Sequence, residues 1–411
     1  MDSHELEIPS GLPPESAFAP TGDSLLESQQ SWLHTERTSR SNPDQVEQIY
    51  TSALEQFPKS APLLSAYANF LTEIRKDQER AEEFYRRAIE ANSRHAISLG
   101  NYAVFLKNVR KDYDRAERFY RAAIEANPRN STNLGNYAVF LDDIRKDYDQ
   151  AEEFYRRAVK ASPRYASSMG KYAVFLEDIR KNYDWAEALY RRAIRAEPRH
   201  ASNLGNYARF LQKIRKDYDR AEQFYRRAIQ ADPGHAVNLG NYARFLQKFR
   251  KDYDRAEEFY RRAIQANPAL TASLGNYANF LVSIRKDYNR AEEFYRRTAG
   301  ANPPHATSLG NYAVFLKNIR KDCDQAEEYY RRAIQADPGH PTNLGNYASF
   351  LQTIRKDYER AEEYYRRAIQ ANPGHPTNLH NYAFFLADVR GDPQRAKEYY
   401  NRANGAGSRH A

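Results

Sequence analysis

The stretch NLGNYAVFLDDIRKDYDQAEEFYRRAVKASP, residues 133–163, decides the fold. Leu134, Tyr137, Ala138, Leu141 and Ile144 fall at 0, +3, +4, +7 and +10, one face of a helix. Ala151, Phe154, Tyr155, Ala158 and Val159 fall at 0, +3, +4, +7 and +8, the face of a second helix. Asp147 stands where that second helix needs an N-cap, and Asp149 lies in its first turn, where the helix dipole favours an acid. Pro163 ends it. No segment has the two-residue period of a strand, so the spacing predicts an all-α chain of paired helices.

The pair then repeats. Tyr67, Tyr102, Tyr137, Tyr172, Tyr207, Tyr242, Tyr277, Tyr312, Tyr347 and Tyr382 are each 35 residues apart. Ten full units follow one another without insertion or deletion, after a half unit from Asn42 to Pro58. A strict period kept this long means identical supersecondary units stacked in a row. Variant units support the boundaries. Asp392-Pro393 and Asn42-Pro43 read as an N-cap followed by proline at the first helical position, and Pro341 and Pro376 mark the start of the first helix.

The pattern resembles the tetratricopeptide repeat in a 35-residue variant, over residues 41–404. Ala151, Tyr155, Ala158 and Pro163 match the small, aromatic, small and proline positions of that motif's second half. For the first half, one register reads Leu134-Gly135 as the family's Leu-Gly pair. The other reads Leu134, Tyr137, Ala138 and Leu141 as its large, apolar, small and aromatic positions, with one extra residue in the turn. The second is preferred because it buries every apolar residue. It departs from the family in having Leu134 for Trp and Ala138 for Gly. The resemblance implies a right-handed α-solenoid superhelix that binds peptides in a concave groove. The Tyr-Ala-x-Phe segment and the Ala-x-x-x-Tyr-x-Arg-Ala helix are also similar to half-a-TPR repeats of RNA-processing scaffolds.

Composition agrees. The chain has 411 residues, of which 41% are apolar, below the ~45–50% usual for globular proteins, as a large surface demands. No apolar run approaches the ~18 residues of a membrane span. The N-terminus has no basic segment or apolar core of a secretory signal. The single cysteine, Cys323, excludes a disulfide framework and suits a reducing, cytoplasmic setting. Net charge is +9, divided unevenly: residues 1–40 carry seven acids and two bases, leaving +14 on the remainder. That acidic leader reads as mostly disordered, with a short capping helix from Asp23 to Leu33. Residues 405–411 form a short tail.

Nothing in the sequence carries catalysis, a metal or a cofactor. His95, His200, His235, His305, His340 and His375 share one column in the turn between units. Neighbouring units lie ~10 Å apart, too far for two of them to share a zinc at ~2 Å. They read as turn and cap residues. His380 is a single variant in a glycine column. Cys323 replaces a packing tyrosine. No phosphate loop, zinc helix or nucleophile elbow occurs.

Columns that change between units should face something that is not repetitive. They are those of Thr132, Val139, Asp142 and Asp143, which share one helix face. Along this face unit three offers Asp142 and Asp143, and unit four Glu177 and Asp178. Unit five offers Arg209 and Lys213, and unit six Arg244 and Lys248. The expectation is that an acidic peptide segment, or a C-terminal carboxylate, docks on units five and six. A constant column of Asn101, Asn136, Asn206, Asn241, Asn276, Asn311, Asn346 and Asn381 adjoins it, broken by Ala66 and Lys171. These amides either pair with an extended peptide backbone or bond within the stack. The adjacent glycines, Gly100 to Gly345, each cost ~1 kcal/mol against alanine in a helix. They serve close helix approach or leave bare backbone for a ligand.

Arginine pairs on the second helix, such as Arg156-Arg157, and the turn residues Arg145 and Lys146 suggest a basic stripe for nucleic acid. Glu152 and Glu153, four residues earlier, balance the pair. The sequence thus reads as a non-catalytic scaffold for protein or peptide partners. The alternative is a ribonucleoprotein scaffold using the arginine face. Two further expectations are weak self-association through the array ends and folding back of the acidic leader onto units five and six.

Overall fold

The computed structural model describes residues 42–301 and 304–407. The leader, and the capping helix expected within it, lie outside the described residues. The chain divides into two compact units, one ending at Arg180 and the other beginning at Lys181. Among the described residues there is no strand.

The first unit begins with a lone helix, Pro43–Gln56, the expected half unit. Helix pairs follow. In the pair just quoted, Ser131–Phe140 continues into a wider turn, Leu141–Arg145, and the chain returns along Tyr148–Ala161. The second unit has the same construction, from Tyr183–Ala196 to the closing pair Pro376–Asp388 and Pro393–Gly407.

The caps lie where the sequence puts them. Asp147 Oδ1 accepts from the Gln150 amide at 3.1 Å, and Asn42 does the same for Gln45 at 3.3 Å. Pro43, Pro341 and Pro376 occupy the first turns of their helices. Such a cap stabilises by about 1 kcal/mol.

The tetratricopeptide length is 34, and the thirty-fifth residue is taken up in the Leu-x-x-Ile-Arg turn. There the backbone bonds run i to i+5, one residue wider than in an α turn. Lys146 then turns left-handed, at φ 56°, and the Asp147 amide reaches back to the Leu141 carbonyl at 3.1 Å. Lysines hold this position from Lys76 to Lys356, and Gly391 takes over in the last pair at φ 63°.

The core is aromatic. Tyr137, 1% exposed, lies 5.8 Å from the Tyr120 ring, 6.2 Å from Phe140 and 4.8 Å, edge on, from Phe154. The tyrosines are thus spent on packing, each such pair adding ~0.5–1.5 kcal/mol beyond its burial.

Candidate functional site

Two surfaces run along each unit: the seam between successive repeats and the open face of the first helices. The seam engages buried and half-buried polar residues of successive repeats. Glu257 sits 9% exposed at its centre. It accepts from Tyr277 of the next repeat at 2.9 Å, from Arg285 at 2.7 Å and from Arg261, four residues on, at 2.6 Å. Arg285 also reaches Asp254 at 2.6 Å. Burial pushes the Glu257 carboxyl up, but the hydrogen bonds from Arg285 and Tyr277 and the charge of Arg261 outweigh it and hold the group below its usual range. The same arrangement recurs from Glu47 with Arg75 to Glu362 with Arg390. Arg145 and its equivalents, expected on a basic stripe, are therefore interlocks between repeats.

The glycines belong to the seam as well. Asn238 donates from Nδ2 to the Ala201 carbonyl at 3.0 Å, and a Cβ at Gly205 would lie 2.0 Å from Asn238 Oδ1. Asn343 and Gly310 repeat this at 2.9 and 2.0 Å. Where the partner is serine the space is larger: 3.3 Å from Gly135 to Ser168 Oγ. Of the two readings of the glycine column, close helix approach is the one observed. The tenth repeat holds His380 here, its ring 5.2 Å from Tyr400. The asparagine–serine column of Asn133, Asn238 and Asn343 was not singled out in sequence. Its signal is the restriction to Asn or Ser two residues before each glycine of the column.

The histidine column caps helices. His235 Nδ1 accepts from the Asn238 amide at 3.3 Å, and its Nε2 lies 3.1 Å from Ser202 Oγ of the preceding repeat. An accepting Nδ1 requires the proton on Nε2. Among the described residues no cluster of His, Cys, Asp and Glu could hold a metal ion. Cys323, half-buried, opens the helix Cys323–Ala336.

The open face carries the changing columns. In the first unit, Asp142 is half-buried and Asp143 exposed. Lys107 Nζ lies 3.1 Å from Asp143 Oδ2, and Lys171 donates to Asn136 Oδ1 at 2.8 Å. Burial first, and Asp143 second, push the Asp142 carboxyl up. Glu177 is buried and Asp178 half-buried. In the second unit, Arg209 is half-buried, while Lys213, Arg244 and Lys248 are exposed, the last with Nζ 5.5 Å from the Phe249 ring. The floor of this face is the tyrosine column of the second helices. Tyr225 donates to Gln212 at 3.1 Å and Tyr260 to Gln247 at 2.8 Å.

The asparagine column stands half-buried on this face. Asn101 donates to Ser65 Oγ at 3.2 Å, and Asn136 accepts from Lys171. The side-chain amides of Asn206, Asn241, Asn276, Asn311, Asn346 and Asn381 make no hydrogen bond among the described residues.

Comparisons with known proteins follow the repeat. A family model described as "TmcB, TPR repeats" matches residues 40–98, 315–372 and 344–411. Two models described as "Tetratricopeptide repeat" match residues 110–166 and 180–236, and 238–270; a Sel1 repeat model matches 274–302. No curated protein sequence matches significantly. Among solved structures, human IFIT1, a dimer with m7Gppp-AAAA, aligns at TM-score 0.50 and 15% identity, covering 85% of this chain and 90% of that one. Yeast Tom70 aligns at TM-score 0.49 and 14% identity, covering 93% and 91%. The pilF protein of Pseudomonas aeruginosa aligns at TM-score 0.42 and 23% identity, covering 51% and 93%. At such identities the likeness is one of fold. Among the described residues no helix is long and apolar enough to cross a membrane.

Proposed function

The chain belongs to the tetratricopeptide repeat proteins, and from that premise we propose that it is a non-catalytic scaffold whose open face holds an extended, acidic peptide segment of a partner protein. The observation that carries this reading is the row of unengaged amides at Asn206, Asn241, Asn276 and Asn311. A half-buried amide with neither donor nor acceptor in use favours a ligand that supplies both. A peptide backbone does so without regard to its sequence. Repeats spaced ~10 Å apart meet an extended chain at ~3.3 Å per residue, so one amide serves about every third residue. Arg209, Lys213, Arg244 and Lys248 border the first part of this row and select acidic side chains.

The arginine face has less to offer RNA. Arg226, Arg261, Arg296 and Arg331 pair with glutamates four residues earlier at 2.6 to 2.7 Å, and most of the field cancels.

A peptide library displayed on phage tests the reading. Wild type should enrich acidic sequences, and a variant with Arg209, Lys213, Arg244 and Lys248 all changed to Glu should lose them while keeping its helical circular dichroism. Recovery of the same peptides by both proteins would overturn it.

A further inference from the structure

In the second unit a cleft of about 540 Å³ lies in the seam between the second helices of repeats five and six, Tyr218–Ala231 and Tyr253–Ala266. Sites for drug-sized ligands have volumes of ~300–1,000 Å³. Arg226, Arg255 and Arg262 line the cleft, and among the described residues no carboxylate does. Pro233 and the half-buried Phe259 give it an apolar wall, and Gln230 adds an exposed amide. In the first unit this arginine set is broken, by Gln150 in the column of Arg255 and by Ala122 in that of Arg262.

Tyr242 fixes two of the arginines. Its hydroxyl accepts from Arg255 Nη2 at 2.7 Å and from Arg226 Nε at 3.3 Å. Glu222 accepts from Arg226 Nη2 at 2.6 Å, and Asp252 from Arg255 Nη1 at 3.3 Å. These pairs cancel charge at a distance, but a guanidinium has five N–H donors, more than two acceptors use. Arg262 is less engaged. Its equivalents in the next two repeats are tied to the repeat before them: Arg297 donates to the Pro268 carbonyl at 3.3 Å, and Arg332 to the Ala299 carbonyl at 2.9 Å. Arg262 makes no hydrogen bond among the described residues. It lies 3.6 Å from Glu258, with its guanidinium 4.8 Å from the centre of the Phe259 ring.

We propose that this cleft binds a nucleoside phosphate. Arg226 and Arg255, held in place by Tyr242, present planar forked donors to the phosphate oxygens. Arg262 has one face of its guanidinium on Phe259 and keeps the other for a base, since guanidinium planes and aromatic rings stack. The Gln230 amide both donates and accepts, as the edge of a base requires. A single phosphorylated side chain is too small to fill the space. The cleft is separate from the open face and does not depend on the peptide reading. A ligand there touches two repeats at once, so it also stabilises their seam.

The test is isothermal titration calorimetry of the full chain with ATP, magnesium chelated and salt low, beside adenosine, inorganic phosphate and O-phosphotyrosine. ATP should bind more tightly than any of the other three. Arg255→Gln and Arg262→Ala bring in residue types that the first unit already carries in these columns, so both variants should fold. Each should weaken ATP binding about tenfold, the worth of one charge-assisted hydrogen bond. Arg297→Ala, one repeat further on, should leave it unchanged. The proposal is overturned if wild type does not bind ATP, or if both cleft variants bind it as wild type does. An equal loss in Arg297→Ala also overturns it, because the attraction is then general to the arginine face. Inorganic phosphate or O-phosphotyrosine binding as tightly as ATP overturns the nucleoside assignment.

Discussion

Asn238 and Asn241 stand three residues apart on one helix, Ala236–Phe245, and the structure uses them differently. Asn238 is 3% exposed, bonded to the preceding repeat and pressed against its glycine. Asn241 is half-buried, its amide unengaged among the described residues. Both recur along the array, so repetition alone does not separate residues that hold the stack from residues that await a ligand. Hydrogen bonding does. In the seam donors and acceptors are consumed by the neighbouring repeat; on the open face the amides of Asn206, Asn241, Asn276, Asn311, Asn346 and Asn381 are left over among the described residues. Substitutions should therefore act on stability in one region and on binding in the other.

The sharpest break is at the glycines. Alanine is a better helix former than glycine by about 1 kcal/mol, so Gly310→Ala would stabilise an isolated helix. Here its Cβ would meet Asn343 Oδ1 at 2.0 Å and expel a buried amide bonded to Ala306. We expect a net loss of about 2–3 kcal/mol in urea unfolding. Gly135→Ala, facing Ser168 Oγ at 3.3 Å, should cost less than 1 kcal/mol. Equal effects at the two sites would undo the seam account.

Next come the carboxylates. Glu257→Gln leaves Arg285, Arg261 and Tyr277 around a neutral group and should cost about 2 kcal/mol. Because the carboxyl is held below its unfolded value, its contribution is present above about pH 4.5 and is lost as pH falls through the lower folded value. Glu82, Glu117, Glu152, Glu187, Glu222 and Glu327 are held below their usual range in the same way. Acid unfolding should be steep, and less steep in Glu257→Gln.

The histidines give a smaller effect in another window. Burial holds His305 below its usual value, and the His340 charge adds to this. A depressed histidine contributes stability above about pH 6.5 and loses it as pH falls below that. Asn130 performs the same cap in the third repeat, accepting from the Asn133 amide at 2.9 Å. His305→Asn should keep the stability at neutral pH and remove the loss that the wild type shows as pH falls below about 6.5.

Most of the fold was legible because repetition multiplies a weak signal. The faces of Leu134 and Tyr155, the caps at Asp147 and Asn42 and the extra residue in the turn all follow from local spacing. What stayed hidden depends on distance across repeats. Arg145 reads as a surface cation until it is seen 2.7 Å from Glu117, 28 residues earlier. Gly205 is ambiguous until Asn238 is placed against it. On the open face the sequence named columns, and the structure added which of their side chains are already engaged.

The smallest expected effect is the most telling. Asn238→Ala removes a buried hydrogen bond to Ala201 and opens space beside Gly205, and should cost about 1–2 kcal/mol. Asn241→Ala removes an amide that bonds nothing among the described residues, on a half-buried face, and should leave stability within about 0.5 kcal/mol of wild type. The same change should weaken binding of an acidic peptide, decaglutamate, several-fold, because it deletes one backbone partner from the row. A stability loss at Asn241 equal to that at Asn238 would place both in the seam, and the row would then serve the stack. Unchanged stability with weakened binding is the signature of a residue kept for a ligand, and a scan through Asn206, Asn276 and Asn311 would then trace how far along the face that ligand runs.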